Sequence, residues 1–153
     1  MEFEEMTLFQ QLLDNRILTA SVLAWFTAQV LKVLLTLIID RKLDWTRLFG
    51  LGGMPSSHTS VVVALAIGTG LRMGFNSSMF AITAVLSAIT MTDAAGVRRA
   101  AGKQAAVLNK VVQDIIAHGG NVPDETLKEL LGHTPLQVGM GALLGALIAL
   151  IVI

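Results

Sequence analysis

The segment Gly52-Gly53-Met54-Pro55-Ser56-Ser57-His58 has the residue types and spacing that come nearest to chemistry. Its glycines permit backbone angles closed to other residues. Pro55 fixes φ and suits a first helical turn, and Ser56 or Ser57 can cap that turn. A helix starting here presents bare N–H groups and the positive end of its dipole, which together attract an anion. His58 adds a proton donor and acceptor at the same point. His133-Thr134-Pro135 repeats the arrangement, with a histidine ahead of a Thr-Pro helix start. Lys32 stands deep in an apolar run, where an ionisable group is costly and marks a function or a pairing. Arg47, nearest the glycine turn, and Arg98-Arg99 supply guanidinium groups, which grip phosphate oxygens by charge-assisted, bidentate bonds. Asp93 lies just ahead of the arginine pair and is expected to orient it.

The elements that must position these groups are membrane helices. The chain is 54% hydrophobic and 14% charged, against about 25% charged in an ordinary soluble domain. Its net charge is zero, so there is no global electrostatic case for nucleic acid. It has no cysteine, hence no disulfide, thiol chemistry or Cys-type zinc site. No carboxylate cluster suits a metal, and no cofactor is expected. The acidic start Met1-Glu2-Phe3-Glu4-Glu5 has the wrong sign for a signal peptide.

Four segments approach the ~20 residues that a bilayer crossing needs: about 17–39, 57–72, 74–92 and 135–153. The second is the weakest, because it is short and Arg72 would have to snorkel. Segment 94–131 reads differently. Val97, Ala101, Leu108, Val111 and Ile115 recur at helical spacing, while Lys103, Lys110 and Asp114 fall off that stripe. This is an amphipathic helix lying on the membrane or against the bundle. Gly119-Gly120 should end it, and a short helix with Pro123 near its start should run to Gly132. The expected fold is all-α: one polytopic membrane domain over residues 1–153, with about four spans and an amphipathic interfacial helix, multi-pass in the cell membrane.

Four consecutive spans put the end of the first, the start of the second, the end of the third and the start of the fourth on one face. Arg41, Lys42, Arg47, His58, Asp93, Arg98, Arg99, Lys103 and His133 fall there. Arg16 and Arg72 fall on the other. Two helix N-termini, two histidines and several arginines on one face are what phosphate binding requires. The same charge asymmetry places that face in the cytoplasm by the positive-inside rule.

Three runs carry a resemblance. Gly52-Gly53-Met54-Pro55-Ser56-Ser57-His58-Thr59, the stretch from Asp93 to Ala105 and Leu131-Gly132-His133-Thr134-Pro135-Leu136 closely resemble the divergent branch of the type-2 phosphatidic acid phosphatase superfamily. That superfamily also includes bacterial acid phosphatases and vanadium haloperoxidases. The resemblance implies that Pro55, Ser56 and His58 correspond to its second motif, with Ser57 in place of Gly. It implies that His133 is the nucleophile, that His58 protonates the leaving group and that Arg98 or Arg99 is the third-motif arginine. Lys32 and Arg47 are the nearest candidates for the first motif, although their spacing differs. More than thirty residues separate the arginine from His133, where the superfamily has five. Gln137 stands four residues after His133, where the superfamily has an acid. In the related Ser-His-Asp setting, replacing the acid by an amide costs about 10⁴ in rate.

The expectation is a membrane phosphatase acting on a lipid phosphate or pyrophosphate through a phosphohistidine. His133 and His58 would be catalytic. Lys32, Arg47, Ser56, Ser57, Arg98 and Arg99 would bind phosphate, and Asp93 and Gln137 would orient them. The rival is a non-catalytic lipid-phosphate or anion binder or transport component that keeps the cradle. Gly141 and Gly145 form a Gly-x-x-x-Gly in the fourth span, and this predicts a homodimer through close backbone approach.

Overall fold

The computed structural model describes residues 7–41, 53–118 and 133–153. Six helices make up these residues, with no strand among them: α1 (Leu8–Asp14), α2 (Arg16–Asp40), α3 (Ser57–Met73), α4 (Ser78–Ala95), α5 (Val97–Ala117) and α6 (Pro135–Val152).

Each boundary has a local cause. Asn15, Ser56 and Ser77 cap α2, α3 and α4, accepting the N–H of Leu18, Thr59 and Phe80. Thr134 and Gln137 close a capping box on α6, with Pro135 in its first turn. α3 stops at Gly74, whose φ of 89° suits glycine, and its N–H returns to Gly70 O. α1 was not expected, yet Thr7 and Gln10 form a capping box at its start. The spacing Thr-x-x-Gln is the signal for it.

α2, α6 and the α4–α5 run are long and apolar enough to cross a membrane. α3 is the middle of the bundle, packing against α2, α4 and α6, while α2 also meets α6. This explains why α3 reads as the weakest span: a helix surrounded by helices needs no lipid-facing apolar belt. Its buried side is small or polar, with Ser57, Thr59, Ser60, Ala64, Gly68 and Thr69. α2 answers with Ala20, Ala24 and Ala28, all fully buried at four-residue spacing. Ala24, Ala64 and Ala149 form the common core of three helices. Lipid tails are as apolar as leucine, so close approach over small residues is what holds such helices together. Buried hydroxyls bond to the preceding turn, as Thr69 to Leu65 O and Thr83 to Met79 O. Ser87 also bonds Val62 O across to α3. The large apolar side chains, such as Phe26, Ile82, Val85, Ile89 and Leu150, are exposed around the outside, where lipid would meet them.

The Gly141–Gly145 face meets this chain's own α3. A Cβ at Gly141 would stand 2.5 Å from Ser56 O, and one at Gly145 would run into Ser60 O. The close backbone approach expected of these glycines is therefore made to α3 of the same chain.

Candidate functional site

The N-termini of α3 and α6 and the C-terminus of α4 meet at one end of the bundle, and backbone hydrogen bonds join them. Ser56 N–H donates to Gln137 O at 3.1 Å, and His133 N–H donates to Ala94 O at 3.0 Å. His58, in the first turn of α3, and His133, just ahead of α6, are thus brought to the same end. Arg72, in the last turn of α3, lies at the other end of that helix, about 21 Å from His58 along the axis at 1.5 Å per residue.

α2 contributes from the side. Lys32 is only 3% exposed. Its Nζ donates to Gln29 Oε1 at 2.9 Å and to Ser57 Oγ at 3.0 Å. Gln29 and Lys32 are one turn apart on α2 and so share a face. Both partners are neutral, and among the described residues no carboxylate pairs with Lys32. Gly53 backs onto the lysine stem: its Cβ position lies 3.7 Å from Lys32 Cγ, which is ordinary contact. Its φ of 86°, rather than lack of space, is what calls for glycine there.

The α6 mouth is built around His133, which is 4% exposed. His133 Nδ1 lies 3.1 Å from Gln137 Oε1. That same oxygen accepts the Thr134 N–H at 3.0 Å, while Thr134 Oγ1 accepts the Gln137 N–H. The Thr134 amide thus decides which end of the Gln137 side chain faces His133. An oxygen there requires Nδ1 to donate, so in the neutral ring Nε2 carries the lone pair. An imidazole held in this way is set up as a base or nucleophile at Nε2.

Ser56 joins two helices. Its N–H is taken by Gln137 O, and its Oγ accepts from Thr59 N–H and from Thr59 Oγ1 at 3.0 Å. It ties α3 to α6 through the Gln137 carbonyl. Ser57, by contrast, links the α3 N-terminus to Lys32. Asp93 is half-buried in the last turn of α4, one residue before the carbonyl that receives His133 N–H. His58 is exposed at the mouth. Arg98 and Arg99 occupy the first turn of α5, just past α4. Their side chains, all of Arg47, Lys42 and Gly52, and the expected short helix around Pro123 lie outside the described residues. Sequence reasoning missed two features: Gln29 as the partner of Lys32, and the Thr134–Gln137 box as the brace on His133. Both had a signal, in the three-residue spacing on α2 and the Thr-x-x-Gln pattern.

Residues 13–148 match the Divergent PAP2 family. The chain is 45% identical over 151 residues to the uncharacterized membrane protein YuiD of Bacillus subtilis (strain 168), which covers 92% of this chain and 96% of that protein. No solved structure matches. The protein is a membrane protein and belongs to the Divergent PAP2 family.

Proposed function

We propose that this chain is a multi-pass cell-membrane phosphatase that removes a phosphoryl group from a phosphorylated lipid through a phosphohistidine. The observation that supports it best is Lys32, a buried lysine whose partners among the described residues are both neutral, joined through Ser57 to the N-terminus of α3. A buried positive group beside a helix N-terminus favours an anion. The same helix start is tied through Ser56 and Gln137 to the braced imidazole of His133.

In this reading His133 Nε2 attacks phosphorus in line, and the bond from phosphorus to the lipid oxygen breaks. His58 gives that oxygen its proton. Water then attacks the phosphohistidine and passes a proton back to His58, which releases inorganic phosphate. Lys32, Arg47, Arg98, Arg99 and the first-turn amides of α3 offset the charge on the equatorial oxygens. Asp93 orients the arginines. Gln137 holds the ring through Nδ1.

One observation favours the second reading, a non-catalytic binder or carrier of lipid phosphates. The group facing His133 Nδ1 is an amide, and an amide does not offset the positive charge the ring gains during attack. Phosphate release from a panel of lipid mono- and diphosphates, measured with binding of the same lipids, separates the two. An enzyme releases phosphate and loses that activity in His133→Ala. A carrier binds without release, and His133→Ala leaves its binding near normal.

A further inference from the structure

α5 carries a large apolar surface that no described helix covers. It touches α4 and no other described helix. Its small side is the sheltered one: Gly102 is buried, and Ala105 and Ala106 are half-buried. Its large side is turned away, with Val107, Leu108, Val111 and Ile115 between 43% and 63% exposed. These four positions share one stripe of the helix. Lys103 and Lys110, both exposed, flank Val107 at four and three residues and so edge that stripe. The helix holds four basic residues and one acid, Asp114.

Charge and position together choose the occupant. α5 follows α4 after the single residue Gly96, so it starts where an apolar helix of 18 residues ends. An apolar stripe with a cationic edge at that level fits the boundary between acyl chains and headgroups, and the cations favour anionic lipid. We propose that α5 is an in-plane helix of the bilayer surface, whose Lys103–Lys110 edge binds anionic phospholipid headgroups beside the His133 end of the bundle. The proposal does not depend on catalysis.

The chain has no cysteine, so single-cysteine variants of the full protein report position directly. Leu108→Cys, Val111→Cys, Lys110→Cys and Gln113→Cys would each carry an environment-sensitive fluorophore in phosphatidylcholine vesicles, with or without phosphatidylglycerol. Labels at 108 and 111 should be quenched by acyl-chain quenchers, and labels at 110 and 113 by aqueous iodide. Phosphatidylglycerol should deepen the label at 108, and Lys103→Gln with Lys110→Gln should abolish that response while the pattern in phosphatidylcholine stays. Equal iodide access at all four positions would overturn the proposal. So would labels at 108 and 111 shielded from both quenchers with cross-linking between copies, which would make this face a protein interface. A wild-type pattern indifferent to phosphatidylglycerol would overturn the headgroup assignment.

Discussion

Replacing Gly145 by Ala should destabilise the single chain, and replacing both Gly141 and Gly145 should do so more strongly. At Gly145 the added Cβ would run into Ser60 O and stand 3.1 Å from Ala64 N. At Gly141 it would stand 2.5 Å from Ser56 O and 3.0 Å from Thr59 Cβ. None of these is the far end of a flexible side chain, so α3 and α6 would have to part. Overpacking of this kind costs about 1–3 kcal/mol. Alanine gains back about 1 kcal/mol in helix propensity, which leaves a net loss of about 0–2 kcal/mol for Gly145→Ala. Parting the helices also lengthens the bond from Ser56 to Gln137, so Gly141→Ala should loosen the site end first. Gly139→Ala is the control, because its Cβ meets nothing within 4 Å, and it should be neutral or slightly stabilising. Thermal unfolding in mild detergent, with particle mass from light scattering, measures both quantities. The reasoning is refuted if Gly145→Ala unfolds at the wild-type temperature while a dimeric particle falls to monomer. The glycine groove would then lie between chains.

Three further outcomes follow from the site. Lys32→Met should change stability little, since interhelical side-chain bonds in membranes average about 0.6 kcal/mol. It should weaken binding of a phosphorylated lipid about 10–100-fold, the worth of one charge-assisted bond; unchanged affinity by calorimetry would remove Lys32 from the anion site. Gln137→Glu keeps both the capping box and the acceptor for His133 Nδ1, and exchanging a neutral for a charged acceptor adds about 1 kcal/mol. Turnover should rise about fivefold, and no rise would assign the charge-balancing role to another acid, first of all Asp93. Asn76, exposed in the α3–α4 turn at the end opposite the histidines, tests orientation. An impermeant reagent should label Asn76→Cys in intact cells, and labelling only after the membrane is opened would put the histidine end outside.

The helices were legible in the sequence because their signals are local. The apolar run 17–39 and the caps at Ser56 and Thr134 place three helices to within a residue or so of Arg16–Asp40, Ser57–Met73 and Pro135–Val152. α4 starts later than expected, at Ser78, because residues 74–77 form the turn that ends in the Ser77 cap. The gathering of His58 and His133 at one end was legible from span parity alone. Partner choice was not. A Gly-x-x-x-Gly says that some backbone comes close, and it does not say whose; in this chain it is α3 at Ser56 and Ser60. Lys32 was legible as a costly buried group, but its pairing with Ser57 depends on how α2 and α3 rotate against each other. The contact of Ser56 depends on the same kind of packing. A capping serine offers its amide to a ligand only where no neighbouring helix takes it, and the Gln137 carbonyl does.

The central claim is that the braced imidazole of His133 attacks phosphorus. Its most direct test is transfer of label from a radiolabelled lipid phosphate to purified wild-type protein and to His133→Ala, each quenched within the first turnover. The account predicts an acid-labile, base-stable phosphoryl group on the wild-type chain, mapped to His133, with inorganic phosphate released in step and neither seen in the variant. Phosphate released equally by both proteins, or lipid bound by both with no phosphoryl transfer from any mono- or diphosphate, would contradict it.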